Sequence, residues 1–136
     1  MARMSNYLEA QLRDHIFRTA VFTKPAGLWI ALYTVAPTDA GGGTEVTGGS
    51  YARVARPPSD ANWTAASATD GLTDNAAVIT FPAPTANWGT VVAFAIRDAA
   101  TGGNLLISAP LIPNRTIESG DAAPEFAIGA LDVIFD

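Results

Sequence analysis

The stretch PTDAGGGTEVTGGSYAR, Pro37 to Arg53, holds five glycines and is the first place in this chain to look for chemistry. Glycines gathered behind an apolar run, here LWIALYT, are how phosphate-cradling loops are built, because bare backbone N–H groups can then close on an anion. A Walker-type loop also needs a lysine and then Ser or Thr after its last glycine, and a dinucleotide loop needs G-x-G-x-x-G opening into a helix. Gly48-Gly49 leads instead into Ser50-Tyr51-Ala52, and Gly41-Gly42-Gly43 into the β-type Thr44-Glu45-Val46. Neither requirement is met, and the nucleotide reading fails.

The remaining reactive groups are few. His15 is the sole histidine and cysteine is absent, so a Ser-His-Asp triad has one histidine to use and a zinc site would rest on carboxylates. His15 borders an apolar helical stripe and reads as structural. Asp39, Asp60, Asp70, Asp74, Asp98, Glu118 and Asp121 all fall in predicted turns, where aspartate is favoured for bonding nearby backbone N–H groups. A glycosidase needs two carboxylates facing across a cleft, and no spacing here asks for that. Asp70-Gly71-Leu72-Thr73-Asp74-Asn75 lacks the alternating ligands and final glutamate of an EF-hand; a plain turn is the reading, a loop calcium site the alternative. No catalytic residue, cofactor or metal ligand is assigned, and a non-enzymatic protein is expected.

The elements that must position these groups begin with one helix, expected over about residues 6–20. Asn6 is read as its cap with Glu9 as the return arm, Leu8, Leu12 and Ile16 as its apolar stripe, and Phe17 and Ala20 as widening that stripe. Everything from residue 28 onward reads as β. Leu28–Thr34 is apolar on both faces and must be covered on both. Short strands follow at Tyr51–Arg56, Ala76–Phe81 and Val91–Arg97, the last with Val92, Phe94 and Ile96 pointing one way. Asp98–Asn104 has hairpin-turn chemistry and leads into Leu105–Ala109. Ile112–Ile117 is expected as a further strand broken by Pro113, and Leu131, Val133 and Phe135 as a closing one. This pattern predicts a mainly β protein over 1–136: a single antiparallel β-sandwich, jelly-roll or immunoglobulin-like, with one N-terminal α-helix. Within it the glycine stretch is the long first crossover, carrying a short extended piece at Thr44–Thr47.

Composition narrows the function classes. The chain has 136 residues, 49% hydrophobic and only 15% charged, which excludes intrinsic disorder. A net charge of −5 argues against nucleic acid as a partner. No apolar run approaches the roughly 18 residues of a membrane span, so no membrane partner is expected.

SNYLEAQLRDHIFRTAVFTKPAGLWIALYT, PTDAGGGTEVTGGSYARV and ITFPAPTANWGTVVAFAIRDAATGGNLL together resemble a family of small tailed-bacteriophage virion structural proteins, commonly described as tail-fibre proteins. The most specific block is Asn87-Trp88-Gly89-Thr90-Val91 leading to Asp98–Leu106, and Ala93-Phe94-Ala95 departs from the His-Phe-Gly expected there. The resemblance implies a structural component of the virion, assembled in the host cytoplasm, a homo-oligomer whose partners are other tail or capsid subunits. Two placements follow, a tail-fibre or tail-associated module and a head-decoration protein; absent heptads and repeats weaken a long shaft. Asp39, Thr44, Glu45, Val46, Tyr51 and Arg53 are the candidate assembly contacts, together with the N-terminal helix. The alternative is a carbohydrate-binding module for a host surface glycan, with Trp63 and Trp88 as stacking residues; each follows Ala-Asn, and each reads otherwise as a loop anchor.

Overall fold

A computed structural model describes residues 2–135. Among these residues ten strands and one helix follow in chain order: β1 (Arg3–Met4), α1 (Asn6–Phe17), β2 (Trp29–Val35), β3 (Thr44–Glu45), β4 (Val54–Ala55), β5 (Thr73–Asp74), β6 (Ile79–Thr80), β7 (Gly89–Arg97), β8 (Leu105–Ile117), β9 (Glu125–Phe126) and β10 (Asp132–Val133). The long strands β2, β7 and β8 form the middle of a six-stranded antiparallel sheet ordered β1-β8-β7-β2-β3, with β4 also on β2. Two separate two-stranded ladders, β5–β10 and β6–β9, complete the β structure.

The chain is mainly β with one helix, as its patterning predicts; the expected single sandwich is not confirmed, because the sheets are separate and none closes. The segments opposite the main sheet are too short and too often interrupted by proline and glycine to pair into a second full sheet. They meet two residues at a time, as Ile79↔Phe126 with Thr80↔Glu125, and Asp132↔Asp74 with Val133↔Thr73. Side chains rather than strand pairing close the core. Ile30, Leu32, Phe94 and Ile96 on one sheet face pack in a cluster with Leu8 of the helix and with Ile79, Phe81, Leu131 and Val133. Edge-to-face contacts of Phe126 with Phe81 and Phe94 tie β9 into it. The other face is narrower, with three alanines, Ala31, Ala93 and Ala95, packed beside Tyr33 and Leu105. Both faces of β2 are thus buried, as its unbroken apolar run requires.

Four local expectations are corrected. Ser5, not Asn6, caps the helix: its Oγ accepts from Leu8 N at 3.2 Å and donates to Leu105 O, while Glu9 turns outward to Arg13 at 3.5 Å. The helix ends at Phe17 rather than near 20, because β-branched Thr19, Val21 and Thr23 follow and Phe22 N is caught by His15 Nδ1 at 3.2 Å. Val92 lies with Ala93 and Ala95, while Val91 joins Phe94 and Ile96. The register slips there from Val91↔Arg115 to Ala93↔Pro110, a bulge that reverses the alternation. The same irregularity lets β8 run continuously past Pro113, so Ile112–Ile117 is no separate strand.

Candidate assembly surface

The glycine stretch is a hairpin, not a crossover. Thr44 and Glu45 return antiparallel onto the end of β2, opposite Val35 and Tyr33. Its tight point is Gly43, at φ +76, where a Cβ would stand 2.6 Å from Val35 O. The chain then turns at Gly48 and Gly49 and comes back a second time, so that Val54 and Ala55 pair with Ile30 and Trp29 at the start of β2. Between these two short pairings the edge of β2 would lack a partner. Tyr51 supplies it: its hydroxyl accepts from Leu32 N at 2.9 Å, and its ring packs edge-on to Trp88 with centroids 5.3 Å apart.

That hydroxyl also donates to Glu45 Oε1 at 3.0 Å, which places it in a polar clamp. Arg53 grips the same carboxylate with two parallel bonds of 2.7 Å, Nε to Oε1 and Nη2 to Oε2. Its remaining Nη1 reaches across to the β7–β8 turn, donating to Ala99 O at 2.7 Å and Gly102 O at 2.9 Å. Arg97 braces the turn from beneath, with Nη1 on Gly102 O and Gly103 O and Nε on the Tyr33 hydroxyl. Burial works to raise the Glu45 carboxyl, but the hydrogen bonds and charge of Arg53 outweigh it and hold the group below its ordinary value. The same carboxylate raises Arg53 through its hydrogen bonds. Burial above all, and then the nearby Glu45, pushes the Tyr51 phenol well above its usual range. All three groups are held in the form the clamp needs at neutral pH.

The six loop residues named from sequence therefore divide. Glu45, Tyr51 and Arg53 come together, with their polar atoms turned inward to one another and to the turn. Val46 is a core residue, its N–H bonded to Leu32 O at 3.0 Å. Asp39 lies apart, over the narrow sheet face, where its carbonyl accepts from Asn6 N at 2.8 Å and moors the helix start. Thr44 alone of the six is exposed. The loop and the Ala100–Gly102 turn line a groove of about 540 Å³ with the clamp along its floor. Arg97 and the turn carbonyls were missed in the sequence; the signal was a lone arginine ending the apolar strand Val91–Ile96.

The two tryptophans share one device. Trp88 Nε1 donates to Gly49 O at 2.9 Å and Trp63 Nε1 to Arg56 O at 3.1 Å, each pinning a loop. Trp88 is only 5% exposed, so its ring turns no face to solvent on which a sugar could stack. Trp63 is half-buried in the wall of a second groove, of about 470 Å³, between the helix and the Pro58–Ala65 loop. In the would-be calcium loop, Asp70 Oδ1 accepts from Leu72 N at 3.1 Å, and Asp74 faces Asp132 across the β5–β10 ladder. Among the described residues no three His, Cys, Asp or Glu side chains stand close enough to share a metal ion. No helix among them is long and apolar enough to cross a membrane.

A family model described as podophage GP4 fiber I protein gp80 matches residues 3–134, and the chain belongs to that family of phage fibre proteins. Among curated proteins no relative matches it.

Proposed function

We propose that this chain is a non-enzymatic module of a phage tail fibre, acting through protein–protein contacts with copies of itself and with other virion proteins. The family match over residues 3–134 carries this reading, because that family is described as a podophage fibre protein. The clamp supports it: Glu45, Tyr51 and Arg53 hold the loop rigid, and Thr44, Thr47 and Ala52 are among the exposed positions left to meet a neighbour. A preorganised loop loses little entropy on docking.

Antibody-gold labelling of intact phage tests the placement. Label on the tail is the expected result; label spread over the capsid would make the chain a head-decoration protein and overturn it. A second reading, a host-glycan adhesin, rests on Trp63 in its groove wall. It predicts glycan-array binding that disappears in Trp63→Ala with the circular dichroism spectrum unchanged.

A further inference from the structure

The helix stripe outruns the sheet that covers it. Leu8 is buried and Leu12 packs against the core, but Ile16 is 68% and Phe17 81% exposed, and Val21 just beyond is 76% exposed. Three large apolar side chains within six residues form a peg. The apolar groove next to it is lined by Leu12 and Phe22, the chain neighbours of that peg, and by Leu28, Trp63, Ile107 and Phe135.

We propose that the peg of one copy of this chain seats in the groove of a second copy, pairing the two about a two-fold axis. This rests on the homo-oligomer in the proposed function and names its surface. Charge permits a second copy here. The molecule carries −5 overall, yet Glu9 and Asp14 on the helix are balanced by Arg13 and Arg18, and the groove rim brings Lys24 and Asp60. This face is therefore neutral, and self-repulsion is least where the copies would meet. Area agrees as well. From the exposures of Ile16, Phe17 and Val21 the peg offers roughly 400 Å² of apolar surface. Peg and groove lie side by side, so a two-fold axis between them makes the contact twice. Each partner then buries its own peg and the groove wall that receives the other, roughly 1,100 Å² in total, the small end of the range for a specific complex.

Sedimentation equilibrium of the full chain at micromolar concentration is the test. The unaltered chain should sediment as a dimer. Phe17→Asp and, independently, Val21→Asp should weaken self-association by about thirtyfold or more, as expected for removal of a central anchor. Both residues are exposed, so the far-UV circular dichroism should not change. Ile112→Asp, at an 84% exposed apolar residue far along the sheet, should leave the dimer intact. A monomeric unaltered chain, or peg variants that sediment like it, would overturn the proposal. A monomer that still labels the phage tail would sink this interface alone and leave the fibre reading standing.

Discussion

Arg53 shows how much one side chain can hold. It is 7% exposed, bonds both oxygens of Glu45 and caps two turn carbonyls, so the glycine loop and the β7–β8 turn depend on it together. Arg53→Ala strips partners from a carboxylate that is itself only 23% exposed. We expect a loss of about 2–3 kcal/mol in urea unfolding, with little recovered by Arg53→Lys, whose ammonium has no fork to match the carboxylate. The sign of the pH dependence follows from the depressed Glu45 value. Stability from the clamp is complete above the ordinary glutamate value of 4.5 and is lost as pH falls through the lower folded value. Asp74 runs the opposite way. Burial, with Oδ1 left unpartnered, and then the facing Asp132 raise it above its ordinary 3.8. The fold thus favours its protonated form, and the ladder is strongest below pH 3.8 and weakens as pH rises through the folded value. Asp132→Asn should accordingly raise the melting temperature at pH 7 and lose that advantage in acid. An advantage that persists unchanged at pH 3 would rule out charge repulsion as its cause.

Within the elements, backbone geometry decides what side-chain patterning leaves open. Gly42 and Gly43 share a φ of +76, but a Cβ on Gly42 meets nothing within 4 Å while one on Gly43 meets backbone of Val35 and Pro37 at under 3 Å. Gly42→Ala should cost about 1 kcal/mol for its left-handed conformation alone, and Gly43→Ala clearly more, by denaturant midpoint. Equal costs would show that the hairpin relaxes freely. Helix α1, strand β2, the Asp98–Asn104 turn and the β7–β8 hairpin were legible because each rests on contacts close in sequence. The helix cap was not, since Ser5 is fixed as cap by Leu105 O and Leu106 O, a hundred residues on. Nor was the facing of Val92, because the irregularity that sets it comes from β8, whose Leu111–Asn114 stand unpaired opposite that one residue.

At the scale of the molecule, the helix, the main sheet and both small ladders feed one apolar cluster. We expect a single cooperative transition, with far-UV dichroism and tryptophan fluorescence melting together, since Trp63 and Trp88 touch that cluster from different loops. Two separated transitions would show that the β5–β10 ladder and its loops fold apart from the sheet. By itself, the sequence determined a mainly β chain with one helix, excluded a phosphate loop in the glycine stretch, and carried the likeness to phage fibre proteins. Those conclusions need only residue type, local spacing and short-range turn chemistry. The tertiary structure decided that the layers opposite the sheet stay as two small ladders, and that Glu45, Tyr51 and Arg53 spend their polar groups on one another. It also decided that the helix stripe ends outside its own core. Each of these depends on which distant segment arrives to satisfy a buried group or to cover an apolar one, and periodicity along the chain carries no record of that.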